Sequence, residues 1–262
     1  MSAVVHPLHR FIRPSVTGTT NCPGCGNGIA AQAILRAMDE LSLTMDDFVF
    51  VSGIGCSAWI PSPYFNADVL HTTHGRPIAF ALGIKMGLPE KKVMVVSGDG
   101  DLTAIGGNHL IHNARRNVDM IVICLNNGIY GMTGGQMAPT TLPGMRSSTS
   151  PYGRDVAMMG HPLKMTELVA HLPGVNYVTR QAVHTPGNVR KTKKALRKAF
   201  EIQKEGKGLS FVEVVSNCNS GWKMTPVQSN KWMEENMFPF YPLGDIKVDG
   251  KLVEPKQEPE KE

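Results

Sequence analysis

Lys92-Val93-Met94-Val95-Val96-Ser97-Gly98-Asp99-Gly100-Asp101 joins an apolar, largely β-branched run directly to a glycine-aspartate turn. Apolar residues on consecutive positions, rather than alternating ones, mark a strand covered on both faces, as in a parallel sheet. A helical pattern over Leu102–Arg116 follows, and then a second buried run, Asp119–Leu125, which ends in Asn126-Asn127-Gly128-Ile129-Tyr130-Gly131. The same rhythm extends in both directions. Upstream, the pattern predicts a helix over Asn27–Leu41, a strand over Phe48–Ser52 ending in Gly53-Ile54-Gly55, and a helix over Gly75–Gly87. Downstream it predicts a helix over Pro162–His171, a strand over Val175–Thr179, a basic helix, and a strand over Ser210–Ser216. Repeated strand–helix–strand units of this kind specify an α/β domain, doubly wound, with a mostly parallel sheet and helices on both faces.

Four segments are expected: an N-terminal arm (1–20), the domain (21–216), an irregular C-terminal extension that wraps over the domain or a partner (217–244), and a charged, proline-bearing mobile tail (245–262). The Gly-, Ser-, Thr- and Pro-rich stretch Thr133–Arg154 is long for a loop inside a compact domain, which points to a functional or disordered segment. There is no internal repeat.

With 262 residues, 42% of them apolar and 19% charged, the chain can bury a substantial core. Twenty-seven glycines with only 6% aromatics suit an α/β enzyme with many tight turns better than an all-β binding module. No window is apolar enough for a membrane span, and Met1–Pro14 lacks the apolar core of a secretory signal, so a cytoplasmic location is expected. Five cysteines, an odd number, argue against a closed disulfide framework. The net charge of +5 is smaller than the +6 of Arg190–Lys207 alone. Ala195, Leu196, Ala199, Phe200 and Ile202 recur there near helical spacing, giving an amphipathic helix with a solvated basic face, or one that docks an acidic protein. No motif for nucleic acid accompanies it.

The turn after Lys92–Ser97 carries the chemistry. Backbone amides at Gly98 and Gly100 can approach an anion at the carboxyl end of a parallel strand, where the next helix N-terminus also attracts phosphate. Asp99, itself an anion, would repel a bare phosphate; a divalent cation such as magnesium, bridging the carboxylate to a diphosphate, resolves the conflict. Asn127 lies 28 positions later, one strand–helix–strand unit on, so its amide oxygen and the carbonyl of Ile129 could complete the cation's protein ligands. Gly-Asp-Gly paired with Asn-Asn at this spacing resembles the thiamine diphosphate motif of that enzyme superfamily.

Cys22-Pro23-Gly24-Cys25 precedes a helix and, alone, admits a zinc knuckle, a redox dithiol or iron–sulfur ligands. No strand precedes it, unlike a thioredoxin-type site. Cys56 and Cys218 follow strands, at the same sheet end as the diphosphate turn, so four thiolates could converge beside the cofactor, whereas Cys124 sits within a buried strand as a core residue. Zinc fits four cysteines equally well by count. Decarboxylation on thiamine leaves an electron-rich species, and a one-electron carrier beside it would be useful where zinc would not, which favours a cluster.

These residues resemble the β subunit of 2-oxoacid:ferredoxin oxidoreductases. The resemblance runs from about Cys22 to Cys218. It rests on Cys-Pro-Gly-Cys-Gly (22–26), Ser-Gly-Ile-Gly-Cys-Ser (52–57), His-Thr-Thr-His-Gly-Arg (71–76) and Gly-Asp-Gly-Asp-Leu (98–102). Ile-Gly-Gly-Asn-His (105–109) and the eleven residues from Asn126 to Gln136 extend it. It implies the thiamine diphosphate-binding fold of the diphosphate-binding type. The implied activity is oxidative decarboxylation of a 2-oxoacid with coenzyme A to acyl-CoA and CO2, with electrons leaving through a 4Fe–4S cluster to ferredoxin. By resemblance, Cys22, Cys25, Cys56 and Cys218 hold that cluster, and Asp99, Asn127 and the Ile129 carbonyl hold Mg2+. Cofactor contacts carry over to Ile54, Gly55, Cys56, Ser57, Thr73, His74, Gly75, Arg76, Gly100, Asp101, Gly131 and Met132, with His74 and Arg76 as the catalytic candidates. Tyr130 and Gln136 are further candidates for the cleft wall.

Thiamine enzymes also need a glutamate to activate the cofactor, usually from a second α/β unit. Only one unit is present here, so the resemblance implies an α subunit carrying the pyrimidine-binding domain and that glutamate, with γ and ferredoxin-like δ subunits or fusions of them. Competing readings are a non-oxidative thiamine decarboxylase or ligase, and a zinc-bound scaffold or redox sensor without thiamine. For the substrate, the family often has a lysine or arginine three residues past the third cysteine, where this chain has Trp59. Apolar surface from Trp59, Ile60 and Met132 would suit a branched-chain 2-oxoacid such as 2-oxoisovalerate, since a buried second carboxylate needs a cation. A Trp59 packed on the partner subunit, or a cation supplied by the α subunit, would leave 2-oxoglutarate as the alternative.

Overall fold

Strands β1 (Phe48–Ser52), β2 (Asp68–His71), β3 (Lys92–Gly98) and β4 (Ile121–Asn126) are followed by the short pair β5 (Ile129–Tyr130) and β6 (Gln136–Met137), then β7 (Tyr177–Ala182), β8 (Ser210–Val215), β9 (Gly244–Val248) and β10 (Lys251–Leu252). They come from a computed structural model that describes residues 6–254. The main sheet has the order β10-β9-β7-β8-β4-β3-β1-β2. From β7 to β2 all neighbours are parallel, while β9 runs antiparallel on β7 and β10 antiparallel on β9. β4, β7 and β8 are buried along their whole length, as the unalternating apolar runs require.

Helices α1 (Gly26–Glu40), α2 (Pro77–Gly87), α3 (Gly107–Arg115), α5 (Met165–Ala170) and α6 (Pro186–Lys204) cover the sheet, while the short α4 (Val156–Met159) buries no residue. Successive strand residues point to opposite faces. Met94, Val96, Ile121, Ile123 and Val212 therefore pack against Ile34 and Met38 of α1 and Leu196 and Phe200 of α6. Their neighbours Val93, Val95, Val122 and Phe211 pack against Ile78 of α2, Leu110 of α3 and Val169 of α5. The basic residues of α6 face outward, where Lys193 and Arg197 pair with Glu40 of α1.

Several boundaries differ from expectation. The helix expected over Leu102–Arg116 opens as a π turn, Asp101–Ile105, before α3. The segment 217–244 is not irregular throughout. It holds α7 (Pro226–Trp232), capped by Thr225, a π turn at Met233–Met237, and α8 (Phe238–Phe240). Its Met233, Met237 and Tyr241 form a third core with Ile129, Leu142 and Met145. The mobile tail is corrected for residues 245–254, which supply most of β9 and all of β10; residues 255–262 lie outside the described residues. The strand signal is masked there by Lys247, whose buried ammonium donates to the Leu172 carbonyl at 2.8 Å. β2 was not expected because it is a mostly exposed edge strand. Within the arm, Arg13 fastens the chain to the Phe65 and Ala67 carbonyls. Among the described residues no helix is long and apolar enough to cross a membrane.

Candidate functional site

The carboxyl ends of β1, β3 and β4 open into one cleft. Ile54, Gly55, Cys56 and Ser57 enter it from the end of β1, Gly98 to Asp101 from β3, and Asn127, Ile129, Gly131 and Met132 from β4. His74 lines it as well. Thr73, Gly75 and Arg76 do not line it. Arg76 instead donates to the Ile105 and His74 carbonyls, and so braces the turn that carries His74.

Asp99 is buried, and its Oδ2 accepts the Gly128 amide at 3.1 Å and the Thr140 hydroxyl. Burial pushes its carboxyl up to about 6; hydrogen bonds from Thr140 and the Gly100 amide oppose the shift and the Glu213 charge adds to it. Among the described residues no basic side chain pairs with Asp99. A buried carboxylate short of positive charge, beside a glycine turn and an amide oxygen, has the donor set a hard divalent cation needs. Asn127 Oδ1 receives the Ile129 amide at 3.1 Å, which fixes the side chain while leaving its second lone pair available. Close packing sets the floor: a Cβ on Gly100 would come within 2.3 Å of the Tyr130 ring.

Asp101 lines the cleft, but both its carboxylate oxygens are engaged within the fold. Its oxygens accept the Gly75 amide and the Ser97 hydroxyl, each at 2.7 Å, and a Cβ on Gly53 would lie 1.9 Å from one of them. The π turn that follows closes through Gly106 N–H on the Asp101 carbonyl and leaves Ile105 on the cleft wall.

Cys22, Cys25, Cys56 and Cys218 lie close enough for their charges to act on one another and Cys56 lines the cleft, although among the described residues no three His, Cys, Asp or Glu side chains are grouped tightly enough to hold a metal ion. A Cβ on Gly131 would stand 3.0 Å from Cys218 Sγ and 3.9 Å from Cys56 Sγ, so the glycine leaves room between them. Cys25 caps α1, whose first residue, Gly26, packs on Ser216 at the end of β8. Asn217 and Asn219, on either side of Cys218, donate to the Gly24 and Pro23 carbonyls at 2.8 and 3.1 Å and so fasten the Cys22–Cys25 loop. Burial raises Cys25, Cys56 and Cys218, the last to about 12, and the charge on neighbouring cysteines adds to each shift. Cys22 is exposed. Cys124 lies apart in the core, its thiol pushed well up by burial and then by the Glu213 and Asp99 charges. Thiols that raise one another in this way release protons when a metal binds them.

The sequence assigned no site role to Asn27, Ile105 or Thr133 on the cleft wall, nor to Thr140 behind it, although Ile105 and Thr133 lie in motifs that carry the resemblance. Thr140 sits in the long 133–154 loop, which is ordered by Arg154 through bonds to the carbonyls of Ala138, Pro139, Thr141, Met159, Gly160 and His161. Trp59 is 37% exposed and outside the cleft lining, and Ile60 is wholly buried in the core, so of the three expected substrate contacts only Met132 lines the cleft.

Residues 53–214 match the thiamine pyrophosphate enzyme C-terminal TPP-binding domain. The chain is 42% identical over 257 residues to 2-oxoglutarate synthase subunit KorB of Methanocaldococcus jannaschii, spanning 95% of this chain and 90% of that one. It is 37% identical to ketoisovalerate oxidoreductase subunit VorA of Methanothermobacter thermautotrophicus, over 91% of this chain and 50% of that protein. The solved 2-oxoglutarate:ferredoxin oxidoreductase from Magnetococcus marinus, with 2-oxoglutarate, coenzyme A and succinyl-CoA bound, superimposes with a TM-score of 0.74 at 31% identity, over 87% of this chain and 72% of that one. A TPP-binding domain of this architecture, matched along nearly its whole length by such subunits, belongs to the 2-oxoacid:ferredoxin oxidoreductase β subunits.

Proposed function

We propose that this chain supplies the diphosphate-binding half and the first electron acceptor of an enzyme that converts a 2-oxoacid and coenzyme A to acyl-CoA and CO2, reducing ferredoxin. One observation carries the reading. Cys56 lines the cleft that holds Asp99 and lies close enough to Cys22 and Cys218 for their charges to act on one another, which supports an electron acceptor beside the decarboxylation site.

In this reading Asp99, Asn127 and the Ile129 carbonyl hold Mg2+, and Gly98 and Gly100 bring backbone amides to the diphosphate. Thiamine diphosphate, when bound, supplies the nucleophilic carbon and the electron sink for loss of CO2. His74 reaches the cleft as a hydrogen-bonding group for diphosphate or carboxylate, and Arg76 holds its turn. Met132 and Ile105 give the mouth an apolar rim that excludes water. Cys22, Cys25, Cys56 and Cys218 hold a 4Fe–4S cluster, with exposed Cys22 marking the way out for electrons. The glutamate that activates the cofactor comes from an α subunit, and γ and δ subunits or their fusions complete a cytoplasmic assembly.

Two readings of the acyl chain remain, each with its own support. Met132 in the cleft supports a branched-chain 2-oxoacid, whereas Trp59, outside the lining, carries no argument for it. The names of the M. jannaschii and M. marinus relatives support 2-oxoglutarate, with the second carboxylate met by the α subunit. The test is kcat/KM of the assembled complex on 2-oxoisovalerate, 2-oxoglutarate and pyruvate side by side, with ferredoxin as acceptor. Turnover of one of them, dependent on coenzyme A, supports the activity and selects the substrate; turnover of none overturns it.

A further inference from the structure

Arg180, in β7, is the largest fully buried side chain among the described residues, and its sequence position gives no hint of a link to the cleft. Its Nε donates to Glu213 at 2.6 Å, and its two terminal nitrogens donate to both Glu167 oxygens at 2.9 and 2.7 Å. Two carboxylates around one guanidinium leave an excess of negative charge, which needs further donors in a dry interior. Glu213 finds them in the Thr166 hydroxyl and in Asn126 Nδ2, the latter at 2.6 Å.

That second bond has a consequence for the cleft. A carboxylate can only accept, so the NH2 end of the Asn126 amide must face Glu213 and its oxygen must face the other way. There, Asn126 Oδ1 accepts the Gly128 amide at 3.1 Å, and the same N–H also reaches Asp99 Oδ2 at 3.1 Å. A second arm leaves Arg180 through Tyr241, whose ring lies 5.1 Å from the guanidinium carbon. The Tyr241 hydroxyl donates to the Thr140 carbonyl at 2.8 Å, and the Thr140 hydroxyl donates to Asp99 Oδ2. Both arms end on one oxygen of one buried carboxylate.

Stability alone is a poor account of this arrangement, because buried ion pairs seldom outperform well-packed apolar residues of the same volume. We propose that Glu213, Arg180 and Tyr241 are positioning residues: they orient Asp99 and the Asn126–Ile129 turn so that the divalent cation of the diphosphate meets a preformed site. The inference rests on the reading of Asp99, Asn127 and Ile129 as the cation's ligands.

Glu213→Gln tests it. The glutamine can donate as well as accept, so the Asn126 amide is free to turn over and withdraw the acceptor from Gly128, while Glu167 still pairs Arg180. In the assembled complex, Mn2+ binding in the presence of thiamine diphosphate, followed by the electron paramagnetic resonance signal of free Mn2+, should weaken about tenfold or more. kcat should return at saturating Mn2+, with KM for the 2-oxoacid and the visible spectrum of the complex unchanged. Tyr241→Phe, which deletes one hydroxyl from the second arm, should weaken Mn2+ binding by a smaller factor, and it decides alone if Glu213→Gln fails to assemble. Mn2+ affinity within about twofold of wild type in the assembled variants would overturn the proposal, since outer partners of a metal site shift affinity by more. If the wild-type complex binds no Mn2+ with thiamine diphosphate, the functional reading itself fails, and this inference with it.

Discussion

Asp101 accepts the amide N–H of Gly75 at 2.7 Å, across 26 positions of sequence. Its other oxygen takes the Ser97 hydroxyl, so the second aspartate of Gly-Asp-Gly-Asp clamps the His74–Arg76 turn to the end of β3. Asp101→Asn keeps the volume but loses one acceptor for two buried donors. It should cost about 1–3 kcal/mol and release the turn that carries His74. A melting curve and a thiamine diphosphate titration check this; a variant unchanged in both would contradict the clamp.

Gly100 shows how little room the floor allows. Gly100→Ala would bring a Cβ within 2.3 Å of the Tyr130 ring, which also lines the cleft, and force the floor to shift, whereas a Cβ on Gly83 of α2 meets nothing within 4 Å. Thiamine diphosphate affinity should therefore fall steeply in Gly100→Ala. Gly83→Ala should leave it intact and gain about 0.5–1 kcal/mol from helix propensity. Equal effects of the two on affinity would contradict the packing argument.

Asp99 sets a pH dependence whose sign follows from burial. Its carboxyl stands at about 6 in the metal-free fold, against 3.8 for an ordinary aspartate, so between about pH 4 and pH 6 the folded chain holds a proton that the unfolded chain has lost. On this account the metal-free fold loses about 3 kcal/mol as pH rises through that window, because each pKa unit is worth about 1.4 kcal/mol. A divalent cation must displace the same proton. Mn2+ affinity should be flat above about pH 6 and fall about tenfold per unit below it. Affinity independent of pH through that window would show that Asp99 is not a ligand.

The sequence exposes part of this architecture for physical reasons. Asp99 and Asn127 are legible because each follows a strand so apolar that only a doubly covered sheet can hold it, and the C-x-x-C spacing marks Cys22 and Cys25. Thr140, Glu213 and Arg180 are not legible. A threonine in a glycine-rich loop or a glutamate inside a strand has no local periodicity, and their partners Asp99 and Asn126 lie 41 and 87 positions away from Thr140 and Glu213. β9 was hidden because Gly-Asp-Ile-Lys-Val carries charges that read as a solvated tail, although Lys247 buries its ammonium on a carbonyl. Asp101 lines the cleft, but which way its carboxylate turns depends on Gly75, which no spacing rule supplies.

The thiols give a further prediction. On the proposed ligand set, serine at Cys22, Cys25, Cys56 or Cys218 should bleach much of the visible absorbance and lower iron per chain, because these four thiols act on one another's charge. Cys124→Ala should leave both largely unchanged, since that thiol packs in the core beside β3 and β8. An anaerobic spectrum with an iron assay decides, and bleaching at Cys124 without bleaching at Cys218 would contradict the ligand set.

The most direct measurement is anaerobic turnover of the assembled complex, counting CO2 released and ferredoxin reduced in the same vessel, beside the isolated chain. Loss of CO2 from a 2-oxoacid with formation of a thioester leaves a pair of electrons, which a cluster passes on singly. The account predicts two one-electron ferredoxin reductions per CO2, strictly dependent on coenzyme A, and no turnover by the chain alone. CO2 released with an aldehyde as product and ferredoxin left oxidised, or full activity of the isolated chain, would contradict it.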